Sequence, residues 1–237
     1  MTAGAVILAA GKGERMGGVD KAFVELLGIP MAAYSLRAFA ECDAVESIAL
    51  VVRPGMEGAA RELVRGIGAG KPVDVVAGGG TRLESARAGL AALRGAPDFA
   101  AVHDAARPLA GTALVSLCME AAAKHGSGVA ASRVSDTVLE SDDGGATASR
   151  PADRSRLWAT QTPQVFRRDV LVEALDRAIG DGATVTDEAT AVRRIGGTVH
   201  LVEWRRPNFK ITYIEDAAAA EALLGAISYE RLRDGRH

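Results

Sequence analysis

Five short runs rich in β-branched and aliphatic residues, Ala5–Leu8, Ser47–Val52, Val73–Val76, Phe99–Val102 and Gly128–Ala131, recur between longer stretches rich in Ala, Leu, Arg and Glu. This alternation restricts the possible folds more than any other property of the chain. Each run is almost continuously apolar, as a strand buried on both faces must be. The intervening stretches Ala32–Ala40, Met56–Arg65, Arg82–Leu93 and Ala113–His125 space their apolar residues by three and four, with charges on the remaining face, as amphipathic helices do. A βαβαβαβαβ order predicts an α/β fold with a mainly parallel, doubly wound sheet.

The order breaks after Ser132. From Val134 to Ser149 polar and apolar residues alternate around Asp142-Asp143-Gly144-Gly145, a turn signal that predicts a protruding β-hairpin arm. Helices are then expected near Arg168–Ala178, from Asp187-Glu188 and over Ile214–Ala226, with strands near Thr198–Glu203 and Phe209–Thr212. Nothing in the composition marks a linker or an internal repeat. The expectation is a single domain over residues 1–237, with 134–154 as its arm.

Charge narrows the partners. Lys and Arg number 28 against 30 Asp and Glu, a formal net charge of −2, so no global field attracts nucleic acid or an anionic membrane. The first apolar run is too short for a span or a signal segment, and a cytoplasmic location is expected. Cys42 and Cys118 stand in non-motif contexts and read as core residues of a reducing compartment. His103, His125, His200 and His237 lack metal-ligand spacing, and neither a G-x-S-x-G elbow nor a Walker A string occurs.

The chemistry is carried by loops. Val6 to Lys21 is a strand entering a glycine-rich turn, in which Gly11 and Gly13 allow backbone N–H groups to approach a phosphate chain. Met16 replaces the third glycine of a dinucleotide fingerprint, and Arg53-Pro54 ends the second strand where a ribose-binding carboxylate would be required. Arg15 and Lys21, just beyond the glycines, suit a triphosphate instead, with solvated loop charges as the alternative. In the next Gly-rich loop, Gly79, Gly80 and Ser85 suit either contacts to a base edge or local helix capping.

His103-Asp104-Ala105-Ala106-Arg107-Pro108 closes the fourth strand, where ligands of open parallel sheets bind. Asp104 there could hold a divalent cation or a substrate hydroxyl, and Arg107 could take a phosphate or pair with Asp104. Thr162-Pro163-Gln164 reads as a polar turn or as part of a site. Lys210, inside an apolar segment, calls for a partner.

In order along the chain, Ala9 to Met16, the loop carrying Ser85, the string at His103, Asp136-Thr137, Thr162-Pro163-Gln164, Thr186-Asp187-Glu188 and Asn208 to Thr212 with Glu215-Asp216 resemble the 2-C-methyl-D-erythritol 4-phosphate cytidylyltransferase family. The likeness runs from Ala5 to Glu221, and departs from the family pattern at Gly18 to Lys21 and at Gly80.

The resemblance implies a Rossmann-like nucleotidyltransferase fold whose arm clasps a second subunit, giving a homodimer. It also implies a reaction in which CTP and methylerythritol phosphate give CDP-methylerythritol and pyrophosphate with Mg²⁺. By matching position, Arg15, Lys21 and Lys210 would surround the phosphates as catalytic residues. Ala10, Gly11, Gly13, Gly79, Gly80 and Ser85 would bind the nucleotide, and Asp104, Arg107, Thr137, Arg154 and Thr162 the acceptor. The metal would be held by Asp104 or by the CTP phosphates alone. Competing readings are a ribitol-phosphate cytidylyltransferase, a guanylyltransferase acting on the molybdenum cofactor, a dinucleotide oxidoreductase and a non-catalytic nucleotide-binding module.

Overall fold

The computed structural model describes residues 1–11, 21–142, 144–145 and 147–233, with side chains except at Lys21 and residues 228–233. A seven-stranded sheet forms its centre. Strand β1 (Ala3–Ala9) lies between β4 (Val45–Val52) and β6 (Phe99–Asp104), parallel to both. Strand β5 (Val73–Ala77) flanks β4, also in parallel. On the other side β10 (Trp158–Arg167) runs antiparallel to β6 and to β7 (Ser127–Arg133), and β11 (Leu201–Glu203) closes the edge parallel to β7. The order is β11-β7-β10-β6-β1-β4-β5.

Continuous apolar runs become strands because both faces of the sheet are covered. Ala3, Ala5, Ile7 and Ala9 of β1 enter one core, while Val6 and Leu8 enter the other. β4 divides its residues in the same way, with Ile48, Leu50 and Val52 opposite Ala49 and Val51. The first core is completed by α1 (Met31–Ala40) and α4 (Thr112–His125), through Leu36, Phe39, Leu114 and Met119. The second takes Leu83, Ala86 and Leu90 of α3 (Arg82–Ala92), Leu171 and Leu175 of α5 (Arg168–Gly180) and Val192 of α6 (Glu188–Arg194). The two-residue side-chain period of a strand is thus present, concealed by two apolar faces.

Gly89 sets how closely α3 lies on the sheet. A β-carbon there would stand 2.3 Å from Val6 Cγ1 and 2.8 Å from Val51 Cγ2, closer than packed carbons tolerate. Gly89→Ala is expected to lower stability by about 1–3 kcal/mol through overpacking. Urea unfolding should show a lower midpoint with an unchanged slope, and an unchanged midpoint would contradict the close packing.

Helix α2 (Glu57–Ile67) follows β4, and α7 (Glu215–Arg233) ends the described chain. The arm is a hairpin in which β8 (Leu139–Glu140) pairs with β9 (Arg150–Pro151). Its ladder is short, and all four paired residues are exposed, so no core extends it. Asp143 of the expected turn lies outside the described residues. A small hairpin of β2 (Glu25–Leu26) and β3 (Ile29–Pro30) was not expected from the sequence.

Three expectations are corrected. Asn208–Thr212 is not a strand; it crosses the strand ends, held there by Asn208 Nδ2 donating to Gln161 and Thr162 and by the Ile211 N–H donating to the Ala106 carbonyl in place of ladder bonds. Thr162-Pro163-Gln164, for which a polar turn was one of two readings, lies instead within β10, an inner strand of the sheet. The strand expected from Thr198 begins at Leu201, since the Ser127 hydroxyl donates to the Thr198 carbonyl and accepts from the His200 N–H in place of ladder bonds.

Cys42 and Cys118 are free and buried, and burial pushes the Cys118 thiol up to about 12. Among the described residues no helix is long and apolar enough to cross a membrane.

Candidate active site

The carboxyl ends of β1, β4, β5 and β6 open into a cleft of about 700 Å³. Its walls are Leu8 to Gly11, Ala22, Arg53-Pro54, Gly78 to Arg82, Ser85, Asp104 to Ala106, and Lys210. Open parallel sheets bind ligands at this position.

The loop between β5 and α3 is held from within. The Thr81 side chain accepts from the Glu84 N–H at 3.1 Å and the Glu84 carboxylate accepts from the Thr81 N–H at 2.9 Å, a capping box that starts α3. The Ser85 hydroxyl donates to the Thr81 carbonyl at 2.9 Å and accepts from the Gly79 N–H at 3.2 Å. Ser85 therefore lines the cleft and clips its loop together. A β-carbon at Gly79 would stand 2.3 Å from Glu84 Cβ, so only glycine lets the chain turn this tightly there.

A chain of alternating charges runs from the interior to the cleft. Glu188, fully buried at the start of α6, accepts from Arg82 Nη1 at 2.7 Å. Arg82 Nη2 and Nε donate to Asp104 Oδ1 at 3.0 and 3.3 Å. Asp104 Oδ2 accepts from Lys210 Nζ at 2.8 Å. Burial opposes ionisation of Asp104, but the Arg82 guanidinium and the Lys210 ammonium outweigh it and hold its carboxyl well below the usual carboxylate range. Burial raises Glu188, with Arg82 pulling in the opposite direction.

Behind Asp104 lies a layer of hydrogen-bonded side chains. The Asp104 N–H donates to Thr162 Oγ1 at 3.0 Å, and that hydroxyl shares a 2.9 Å hydrogen bond with His103 Nδ1. Asn208 Nδ2 donates to Gln161 Oε1 and to the Thr162 carbonyl, while Arg107 Nη1 donates to the Asn208 carbonyl at 2.7 Å. Gln164 ties the strand to α6 by donating to Asp187 and accepting the Ala189 N–H. Burial pushes the His103 imidazole down to about 4, so the unfolded chain takes up this proton first as pH falls. Stability is expected to fall by on the order of 3 kcal/mol between pH 6.5 and 4. Urea midpoints at pH 7 and 4.5 test this, and His103→Gln should flatten the difference.

The fold thus gathers Ala10, Gly11, Gly79, Gly80, Ser85, Asp104 and Lys210 around one cleft. Thr162 sits beneath it, 3% exposed, and Arg107 beside it; neither is among the cleft-lining residues. Arg107 pairs with the Asn208 carbonyl, and the side-chain partners of Asp104 are Arg82 and Lys210. Thr137 and Arg154 are exposed on the arm, where Arg154 Nη1 donates to the Ser135 carbonyl. Gly13, Arg15 and the Lys21 side chain lie outside the described residues.

Sequence reasoning assigned no role to Arg82 or Glu188. The capping box was the available signal, since it fixes Arg82 in the first turn of a helix that points at the cleft.

Among the described residues, the cleft lining does not fit a divalent cation held by the protein. Asp104 is the one carboxylate among the described cleft-lining residues, and cationic side chains engage both of its oxygens. No group of three His, Cys, Asp or Glu side chains among the described residues could hold a metal ion.

Known proteins are similar to this chain in sequence and fold. The family model described as IspD, 2-C-methyl-D-erythritol 4-phosphate cytidylyltransferase, matches residues 3–226. A protein of Symbiobacterium thermophilum with that enzyme name is 42% identical over 220 residues, 92% of this chain and 91% of the relative. A bifunctional IspD/IspF enzyme of Anaeromyxobacter dehalogenans is 43% identical over 222 residues, which is 93% of this chain and 56% of that longer protein. The crystal structure of 4-diphosphocytidyl-2C-methyl-D-erythritol synthase from Anaerococcus prevotii matches with a TM-score of 0.82 at 26% identity, covering 94% of this chain and 98% of that one. With a match that extends from β1 into α7, this chain belongs to the 2-C-methyl-D-erythritol 4-phosphate cytidylyltransferase family.

Proposed function

We propose that the protein transfers the cytidylyl group of CTP to 2-C-methyl-D-erythritol 4-phosphate and releases pyrophosphate. The observation that carries this reading, beside family membership, is the cleft itself. Seven residues drawn from four separate segments, Ala10, Gly11, Gly79, Gly80, Ser85, Asp104 and Lys210, share one opening at the strand ends.

In this reading a phosphate oxygen of the acceptor attacks the α-phosphorus of CTP in line. A P–O bond forms there as the bond to the pyrophosphate oxygen breaks. A phosphate monoester is already anionic at neutral pH, so the step requires no general base. The difficulty is repulsion between two anions, together with charge building up on the departing pyrophosphate. Lys210 supplies a fixed cation at the cleft, and Arg15 and Lys21 from the glycine-rich turn would complete it. Backbone N–H groups of Ala10 and Gly11 would meet the phosphates, and Gly79, Gly80 and Ser85 the base. Asp104, Arg107 and Thr162 would hold the acceptor. Magnesium would arrive bound to the CTP phosphates as part of the substrate.

Thr137 and Arg154 belong to the exposed arm and are not among the lining residues of their own cleft. This supports a homodimer in which each arm reaches the other subunit's cleft; light scattering coupled to gel filtration should give twice the mass of the 237-residue chain. A monomeric mass would refute the exchange of arms.

Pyrophosphate release measured with each nucleoside triphosphate against methylerythritol phosphate and ribitol phosphate tests the reaction. The highest kcat/KM is expected for CTP with methylerythritol phosphate. Faster turnover of ribitol phosphate would reassign the acceptor.

A further inference from the structure

We propose that Glu188 is a positioning residue for the transfer reaction. By holding Nη1 of Arg82 it fixes the orientation in which Nε and Nη2 both meet Asp104 Oδ1, and so leaves Asp104 Oδ2 to hold the Lys210 ammonium at the cleft. This rests on the reading of Lys210 as a catalytic cation.

The geometry of Arg82 carries the inference. An arginine facing a carboxylate tends to give one N–H to each oxygen, a fork meeting a fork. Arg82 does otherwise. Its Nε and Nη2 both aim at Oδ1 of Asp104, at 3.3 and 3.0 Å, and its shortest bond, 2.7 Å, goes sideways to Glu188. The oxygen thus spared, Oδ2, takes Lys210 Nζ at 2.8 Å. Released from Glu188, the guanidinium can rotate to hold both oxygens, and Lys210 loses its partner.

Glu188 is well built as an anchor. It is fully buried, and its helix start is fixed by Asp187, which accepts from the Thr190 N–H, and by Gln164, which accepts from the Ala189 N–H. Lys210 is the member that needs holding. Its side chain is 42% exposed on an irregular segment, where an unpaired lysine would sample many rotamers. Glu188 is not among the cleft-lining residues, so any influence on the reaction passes through Arg82 and Asp104.

A double-mutant cycle on pyrophosphate release from CTP and methylerythritol phosphate separates positioning from mere support of the fold. Glu188→Gln is expected to lower kcat about tenfold, and Glu188→Met to lower it further, while the same changes made on Lys210→Ala should cost less than about twofold. Equal losses in both backgrounds, or wild-type kcat in Glu188→Met, would overturn the proposal. A second measurement needs no turnover: acetylation of Lys210 by acetic anhydride, followed by mass spectrometry, should be several-fold faster in folded Glu188→Gln than in wild type. Unchanged labelling would also overturn it. Should the wild-type protein release no pyrophosphate from CTP, the cytidylyl-transfer reading fails, and the labelling comparison still decides whether Glu188 places Lys210.

Discussion

Lys210→Ala is expected to lower kcat/KM for the cytidylyl transfer by about 100- to 1,000-fold, the scale of losing one preorganised charge at a developing anion, on the order of 3–4 kcal/mol. The effect should fall mainly on kcat. Lys210 is anchored on Asp104, so its charge is already in place in the ground state and counts for most as further charge builds up on the departing pyrophosphate in the transition state. Lys210→Arg should recover part of the rate, because it keeps the charge but not the compact ammonium. Steady-state kinetics of both variants with CTP and methylerythritol phosphate provide the check. Wild-type turnover in Lys210→Ala would remove the residue from the reaction.

Arg82→Met should produce the largest loss of stability, about 3–5 kcal/mol, because it strands a carboxylate in the interior. Glu188 is fully buried, and Arg82 is its ion-pair partner among the described residues. Its folded pKa is already raised by burial and would climb further without the guanidinium. A carboxyl with a raised folded pKa disfavours the native state increasingly as pH rises from its unfolded value toward its folded one. The deficit of Arg82→Met relative to wild type should therefore be smaller at pH 5 than at pH 8, as read from urea midpoints. Adding Glu188→Met should restore much of the loss, since an apolar pair of similar volume needs no counter-charge. A deficit equal at both pH values, with no rescue, would mean that the stranded charge is not its cause.

The contrast between β1 and β10 shows why part of the fold was legible in the sequence and part was not. β1 and β4 bury aliphatic side chains on both faces, so their composition alone identifies them. β10 lies deeper in the sheet than β5, yet its middle reads Thr160-Gln161-Thr162-Pro163-Gln164. Those polar residues are tolerated because Thr162 and Gln164 find partners in His103, Asp104, Asp187 and Ala189. No local pattern announces partners so far away. Asn208 to Thr212 errs in the opposite sense, with the Phe209 and Ile211 alternation of a strand on a segment whose distant partners Gln161, Thr162 and Ala106 hold it across the strand ends. In the cleft, glycines and the Asp104 string declare themselves because backbone and charge requirements are local. The Arg82 pairings span 22 and 106 positions and appear only when the chain is folded.

The place of β10 also bears on the order in which the chain can assemble. β6 and β7 lie on opposite sides of it, so neither can join the other until residues 158–167 have been synthesised. Strands β5, β4, β1 and β6, by contrast, are mutual neighbours drawn from the first 104 residues and can pair as they leave the ribosome. β7 has no such early neighbour, since β10 and β11 both follow it in the chain. A nascent chain arrested at residue 157 is expected to protect β1 amides from proton exchange while leaving those of Ser127–Arg133 open. Loop-closure entropy leads to the expectation that this late insertion is slower than pairing among the first four strands.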